Sequence, residues 1–289
     1  SGRRAACISN LKQMSTALKA YAEESPDNKY PPIANYYDYE VDCDSLAYNP
    51  VTPHARAVFF WNPEVMLPDY VTDPAIILCP SDRGWSTNDL RNPKTGQIDI
   101  FLKCYGPRGW NMLNGSYAYM GHVYDKMEDG PEYEIPIDEF RSGTNLQCPS
   151  APKNSGVGAQ LTAGLIAILN VPDIEQETLA DNDYDLSAFE ALTPGPIGNG
   201  NESILYRLRE GVERMMITDT LSPGASAMAQ SEIAIMWDQV STLPSPQDFN
   251  HVPGGGNVLY LDGHVDFVEY PGSGPVSRAS AVFSGCLKG

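Results

Sequence analysis

The chain has 289 residues, 42% of them hydrophobic, and its 37 acidic and 19 basic side chains give a formal net charge of −18. Such a hydrophobic content is typical of a globular protein and excludes a disordered one, and the length is sufficient for a large core. The negative charge excludes nucleic acid and anionic membrane surfaces as electrostatic partners. No apolar run of about 18 residues, as a membrane-spanning helix requires, occurs in the sequence.

The first predicted element is a helix over residues 3–24. Apolar side chains recur at three- and four-residue steps and form one stripe, as in an amphipathic helix. Proline disfavours the helical conformation at the residue before it, so Ser25-Pro26 ends the element. The periodicity begins without an N-cap, and we therefore expect this helix to be the second half of a longer one. The stripe consists of Ile8, Leu11, Met14, Leu18 and Tyr21.

The middle of the chain predicts short strands between loops. Aromatic and small residues alternate over residues 114–124, which favours a strand. The segment 203–219 predicts a short helix, a break at Gly211 and then a strand, and residues 231–240 predict a further strand.

A large excursion separates these elements. Residues 141–201 contain few strong patterns apart from "LTAGLIAILN", and "TPGPIGNGNES" at 193–203 is typical of a surface loop. Helix and strand do not alternate along the chain. This order predicts an α+β fold with an antiparallel sheet rather than a parallel one.

The stretch "NVLYLDGHVDFV" predicts a β-hairpin near the C-terminus. A two-residue Asp262-Gly263 loop favours a type I′ turn, in which Gly263 adopts a positive φ at little cost. The expected register sets Leu261 opposite His264. One face then carries side chains suited to a core, namely Val258, Tyr260, Val265 and Phe267.

The same stretch has an alternative interpretation as a metal or catalytic site. His251, Asp262, His264 and Asp238 offer imidazole and carboxylate groups, which suit transition metals. However, no H-x-H or H-E-x-x-H spacing is present, and no G-x-S-x-G nucleophile turn occurs anywhere in the chain. We therefore favour the structural hairpin, and we expect the chain to have no catalytic centre.

Six cysteines stand at long, irregular spacings. None forms a C-x-x-C pair, which argues against a structural zinc site. An even number in an acidic chain predicts disulfides and an oxidising compartment, whereas six buried free thiols are the alternative. They are Cys7, Cys43, Cys79, Cys104, Cys148 and Cys286.

Several segments together resemble one known family. They are "RRAACISNLKQMSTALKAYAEESPDNKYPP", "CPSD" at Cys79–Asp82, Ser116-Tyr117, "RLREGVERMMITD" and "FNHVPGGGNVLYLDGHVDF". Together they resemble type IV pilin-like and type II secretion pseudopilin-like proteins, and more narrowly the prepilin-type H-X9-DG proteins of planctomycetes. The resemblance is weakest over residues 125–200. Ten residues rather than nine separate His251 from Asp262.

The resemblance implies a pilin-like fold, in which a long N-terminal helix packs on an antiparallel sheet with large loop insertions. Residues 1–25 would be the C-terminal half of the pilin-type helix, and residues 26–289 a globular head with an insertion around 125–200. The implied function is that of a structural subunit in an extracellular filament, and not that of an enzyme. Before assembly an apolar upstream segment would anchor the subunit in the inner membrane, and its head would face the periplasm or the exterior. Its partners would then be copies of itself and other pilin-like subunits, and not nucleic acid.

Further expectations follow from the resemblance. A Cys7–Cys79 disulfide would tie the helix to the head at the "CPSD" motif. Asp181, Asp183 and Asp185 place three carboxylates at alternate positions, as calcium loops do, and major pseudopilins bind calcium in a head loop. The alternative function is a membrane-anchored surface protein that uses a pilin scaffold to bind a partner or glycan, with calcium as a possible cofactor. The tyrosine-rich composition would suit such a surface.

Overall fold

The computed structural model describes residues 2–41, 48–91, 96, 113, 115–148, 151–216, 229–242, 250–251 and 254–288. Over these residues the fold is α+β, as expected: a long N-terminal helix lies on a four-stranded antiparallel sheet, with loops and short helices between them. No helix within the described ranges is both long and apolar enough to cross a bilayer.

Six α-helices occur among the described residues, and short 3-10 turns accompany them. The helices are α1 Gly2–Glu24, α2 Pro63–Met66, α3 Ile137–Thr144, α4 Ala159–Leu169, α5 Asp173–Ala180 and α6 Arg278–Lys288.

Ten strands are described, and all of their pairings are antiparallel. The main sheet has the order β10-β9-β8-β3, while β1-β2, β4-β5 and β6-β7 form separate two-stranded sheets. The strands are β1 Ile33–Val41, β2 Tyr48–Trp61, β3 Tyr117–Ala118, β4 Glu134–Pro136, β5 Gly156–Gly158, β6 Tyr184–Asp185, β7 Ile204–Leu205, β8 Ala234–Asp238, β9 Gly255–Tyr260 and β10 Val265–Glu269.

Helix α1 uses its predicted stripe to contact the sheet. Leu11, Met14 and Leu18 are fully buried, whereas Ile8 and Tyr21 at the two ends are half-buried. Burial of each large apolar side chain stabilises the fold by about 1.5–3 kcal/mol. Ionic and amide side chains such as those of Lys12 and Gln13 lie on the opposite, exposed side of the helix. Tertiary packing therefore holds this helix in place along most of its length.

The opposite face of the main sheet packs against the C-terminal helix. Ala118 of β3 and Trp237 of β8 line one small cavity together with Phe59 of β2 and Phe283 of α6. A disulfide between Cys148 and Cys286 fastens α6 to the segment that follows α3. The sheet is thus enclosed between the first and last helices of the chain. The segment 125–200, expected to be an insertion, contributes to the same hydrophobic core.

The β9–β10 hairpin exists, but its predicted register is wrong by one residue. Leu259 pairs with Val265, not with Asp266. The loop has three residues instead of two, because the N–H of Tyr260 donates to the carbonyl of His264 (3.0 Å). Such a loop combines a type I turn with one residue in the left-handed region, and Gly263 takes that position with φ 93°. Asp262 is consequently not in the positive-φ conformation that a type I′ turn requires.

Two further predicted elements differ from the structure. The strand expected over residues 114–124 is limited to Tyr117–Ala118. The helix expected after Ser203 is instead extended, with strand Ile204–Leu205 and isolated bridges at Arg207 and Arg209. The strand expected between Gly211 and Asp219 is wrong over its first part, which is a 3-10 helix at Val212–Met216, and its remainder from residue 217 lies outside the described residues.

Replacing Gly263 by valine is expected to lower the free energy of unfolding by more than about 1 kcal/mol, because a β-branched residue is strained at positive φ. The new Cβ would also lie 3.2 Å from Oγ of Ser15 on α1. Urea unfolding of both proteins measures the change. Gly195→Val is the matched control, since a Cβ at that exposed glycine meets nothing within 4 Å. Equal midpoints for the two variants would contradict the turn described above.

Candidate functional site

A row of side chains crosses the face of the main sheet that lies under α1. Tyr117 on β3 pairs with Asp238 on β8, and Phe267 on β10 pairs with Asn257 on β9. Asp238 and Asn257 are joined by hydrogen bonds, so the row continues across all four strands. The amide of Asn10 on α1 donates to the Tyr117 hydroxyl at 3.3 Å. The helix and sheet therefore meet around a polar centre.

Asp238 is the charged group of this row, and its side chain has no exposed surface. Its Oδ2 accepts hydrogen bonds from the backbone N–H of Asn257 (2.8 Å) and from the Asn257 side-chain amide (2.6 Å). The other oxygen, Oδ1, has no hydrogen-bond partner among the described residues. Burial, and then the nearby Asp238 carboxylate, raise the pKa of the Tyr117 phenol well above its usual value, which keeps that group neutral.

His251 completes the environment of this carboxylate. Its Nε2 lies 2.9 Å from Oδ2 of Asp238, and the side chain is only 8% exposed. The ring meets Phe267 edge to face at a centroid distance of 6.2 Å. The guanidinium of Arg4 covers the same Phe267 ring at 3.7 Å. A backbone bridge between His251 and Gly255 holds the imidazole at the end of β9.

A disulfide between Cys7 of α1 and Cys79 lies against this histidine, with a Cα–Cα distance of 5.2 Å. Sγ of Cys79 is 3.8 Å from Nε2 of His251, and the N–H of Ser81 donates to the same sulfur at 3.4 Å. The expected Cys7–Cys79 pairing is thus present. One ligand atom from each of Cys7, Cys79, Asp238 and His251 lies within 4.8 Å of all the others.

Asp262 and His264 form a separate pair at the tip of the hairpin. Nδ1 of His264 lies 2.6 Å from Oδ1 of Asp262, and its Nε2 is 3.6 Å from Asp266. Burial alone would raise the pKa of Asp262, but hydrogen bonds from the backbone and ring of His264 bring it below its usual value. The His264 ring stacks on Tyr260 at 4.4 Å. The sequence-predicted set therefore divides, and His251 and Asp238 converge without Asp262 and His264.

The candidate calcium ligands are engaged with groups of the protein. Asp181 accepts from Lys29 at 3.4 Å, and Asp183 forms an ion pair with Arg209. Oδ1 of Asp185 caps the backbone N–H of Ser187 at 2.9 Å. Within the described ranges these three carboxylates form no cluster of converging ligand atoms. Calcium binding here stays a prediction without support from this geometry. Another acidic stretch of the sequence, Tyr37–Asp44, which could bind a cation in the same way, lies partly outside the described residues.

The loop Asp181–Asp185 packs against two buried side chains, the cationic Arg207 and the titratable His122. Arg207 is fully buried, and its guanidinium donates to the carbonyls of Gly121 and Tyr30. The buried ring of His122 donates from Nε2 to the carbonyl of Asn182 (2.8 Å). Burial first, and then the charge of Arg207, lower the pKa of His122 to about 3. His122 is consequently neutral in the folded protein at ordinary pH.

The chain matches no family model, no curated protein and no solved structure. The site must therefore be interpreted from its own geometry. The tyrosines and tryptophans of the described residues from Phe60 onwards are buried or half-buried.

Sequence reasoning missed the association of the two cysteines with His251 and Asp238, and it missed Asn257 entirely. The cysteines are 72 residues apart, and Cys79 is 172 residues from His251. No local spacing signals a group assembled from such distant segments. The sequence did indicate the imidazole of His251 and the carboxylate of Asp238 as candidate ligands, but it gave no sign that two sulfur atoms lie beside them.

Replacing Asp238 by alanine is expected to lower the free energy of unfolding by at least about 2 kcal/mol. Two donors of Asn257 would lose their acceptor, and each unsatisfied buried donor costs about 1–3 kcal/mol. Asp266→Ala is the control, because that side chain is 73% exposed and a surface change of this kind stays within about 0.5 kcal/mol. Equilibrium unfolding in urea compares the two. A loss no larger for Asp238→Ala than for Asp266→Ala would contradict the buried network.

His122 should make stability depend on pH. Below an unfolded-state pKa of about 6.5 the unfolded chain binds a proton, while the folded chain resists protonation until its pKa of about 3. Stability contributed by neutral His122 is therefore complete above pH 6.5 and is lost as the pH falls towards 3. The His122→Gln variant, which retains a donor for Asn182, should lose less stability over this range. Denaturant unfolding at a series of pH values tests this, and a constant difference between the two proteins would refute it.

Proposed function

We propose that the chain is a structural subunit of an extracellular filament of the type IV pilus or type II secretion pseudopilus kind. The observation that carries this proposal is the 23-residue helix α1, which lies along an antiparallel sheet and keeps its outer side in solvent. The sequence resemblance given above points to the same arrangement.

The exposed side of α1 provides the surface for assembly in this proposal. Gly2, Arg3, Arg4 and Ala5 are exposed, and the exposed side continues through Ser9, Lys12, Gln13 and Thr16. Neighbouring subunits would pack along this side, while the buried stripe keeps the head attached to its own helix. An apolar segment upstream of Arg3 would anchor the precursor in the inner membrane before assembly.

The covalent cross-links favour an extracytoplasmic location. The Cys7–Cys79 and Cys148–Cys286 disulfides are typical of an oxidising compartment. In a filament, Cys7–Cys79 would prevent α1 from separating from the head. The acidic surface, with a net charge of −18, suits a protein displayed outside the cell. No observation of the described residues specifically favours a glycan-binding or calcium-binding protein on the same scaffold.

Site-specific photo-cross-linking in the native cells tests the assembly surface. A photoreactive residue at Gln13, exposed on α1, is expected to give a ladder of covalent self-adducts in sheared filaments. The same residue at Glu139, exposed on α3, serves as the comparison position. Immunogold labelling of the filaments by electron microscopy checks that the chain is a component of them.

Two results would count against the proposal. Filaments that lack the chain, together with no adducts at either position, would favour a membrane-anchored binding protein instead. Adducts from Glu139 in the absence of any from Gln13 would mean that the heads, not the helices, form the assembly contact.

A further inference from the structure

The cluster beneath α1 has a geometry that a hydrogen-bonded core does not require. A single nitrogen, Nε2 of His251, faces Oδ2 of Asp238 (2.9 Å) and Sγ of Cys79 (3.8 Å), and the amide nitrogen of Asn257 lies 3.2 Å from it. Sγ of Cys7 is bonded to that same sulfur. Two sulfurs, one imidazole nitrogen and one carboxylate oxygen therefore converge around one point, within 4.8 Å of each other.

This arrangement differs from a catalytic cysteine–histidine–aspartate triad. In a triad the carboxylate orients one ring nitrogen while the other nitrogen accepts the proton of the nucleophile. Here both neighbours face Nε2, so the ring cannot transfer a proton between them through its two nitrogens. Cys7 and Cys79 are also 0% and 1% exposed, which leaves no access for a substrate. Convergence on one point is instead what a metal ion demands of its ligands.

We propose that Cys7 and Cys79, in their reduced dithiol form, bind one Zn²⁺ together with His251 and Asp238. Zinc prefers four ligands in a tetrahedral arrangement, and thiolate, imidazole and carboxylate are its common protein ligands. With bond lengths of about 2.0–2.3 Å, neighbouring ligand atoms lie roughly 3.3–3.8 Å apart. The 3.8 Å between Cys79 and His251 meets this requirement, whereas Nε2 of His251 and Oδ2 of Asp238, now 2.9 Å apart, would move a few tenths of an ångström further apart. This inference is independent of the filament function.

The surroundings of the cluster also suit a metal. Asp238 is completely buried, yet its Oδ1 has no hydrogen-bond partner in the described structure, and a divalent cation would compensate its charge. Asn257 orients the carboxylate through Oδ2, and the N–H of Ser81 donates to the Cys79 sulfur. Outer hydrogen bonds of this kind hold metal ligands in position. His251, slightly exposed, lies on the side from which an ion can enter.

The zinc-bound and disulfide states exclude one another. In the unfolded chain, where the sulfurs are accessible, a dithiol reductant that transfers two electrons and two protons to the Cys7–Cys79 disulfide becomes a disulfide itself and leaves two thiols on the protein. Zn²⁺ then displaces the two thiol protons, which pass to solvent, and binds the neutral imidazole of His251 through Nε2. Oxidation of the two thiolates to the disulfide removes two of the four ligands and releases the ion. The same four residues thus form a zinc site before oxidation and a cross-link after it.

Metal titration of the full chain tests this proposal. The protein is reduced with dithiothreitol in urea, refolded without oxygen, and titrated first with Co²⁺ as a spectroscopic substitute and then with Zn²⁺. The reduced chain is expected to bind one equivalent of Co²⁺ with a thiolate-to-metal charge-transfer band, which Zn²⁺ abolishes. The oxidised chain should neither bind an equivalent of Co²⁺ nor show the charge-transfer band.

Variants distinguish this site from the other cysteines of the chain. His251→Gln and Asp238→Asn should each weaken Zn²⁺ binding at least about 10-fold. His264→Gln is the control, because that histidine lies between two carboxylates at the surface of the same hairpin. The affinity of this variant for Zn²⁺ should equal that of the parent protein. Circular dichroism verifies that each variant is folded. If Asp238→Asn does not fold, His251→Gln alone decides the matter.

Three outcomes would overturn the proposal. They are the absence of stoichiometric binding by the reduced parent, equal binding by the reduced and oxidised chains, and a folded His251→Gln variant with the affinity of the parent.

Discussion

A carboxylate in a protein interior has to be supplied with hydrogen-bond donors, and Asp238 lies fully buried between α1 and the main sheet. Asn257 gives it two donors from the neighbouring strand, and Nε2 of His251 lies 2.9 Å from the same carboxylate oxygen. These contacts align β8 with β9 and bring the chain before β9 back against the sheet. They also place His251 beside the Cys7–Cys79 disulfide that fastens the helix. The surrounding apolar contacts are non-directional, so this polar centre determines how helix and sheet are oriented.

Local patterns predicted the elements that depend on local periodicity. The stripe around Leu11 and Met14 predicted α1 almost to the residue, because one buried helical face imposes its 3.6-residue period on the sequence. The run 231–240 contained β8, and the Asp262-Gly263 step located the hairpin. It did not determine whether two or three residues form the loop, since a positive φ at Gly263 is common to both. That ambiguity shifted the register by one residue.

Long-range contacts account for what the sequence did not predict. The segment around Arg207 has helical spacing, but its backbone and guanidinium bond to Asp183, Gly121 and Tyr30, and these distant partners hold it extended. The candidate site likewise combines α1, the segment after Pro74–Ile77, β8 and the residues before β9. The pairing of Cys7 with Cys79 was accessible only through a resemblance to other proteins. Residue types at these spacings contain no signal that four separate segments meet.

The two disulfides also determine how the chain would carry a pulling force. Tension between the N-terminus and the C-terminus follows the shortest covalent path, which leaves the backbone at Cys7, rejoins it at Cys79, and passes from Cys148 to Cys286. Residues 8–78 and 149–285 then lie in closed side branches that bear no covalent tension. Most of α1 and strands β8, β9 and β10 belong to these branches. Stretching the molecule from its ends would therefore extend mainly residues 79–148, including β3, while the contact of α1 with β9 and β10 would be spared until a sulfur–sulfur bond broke.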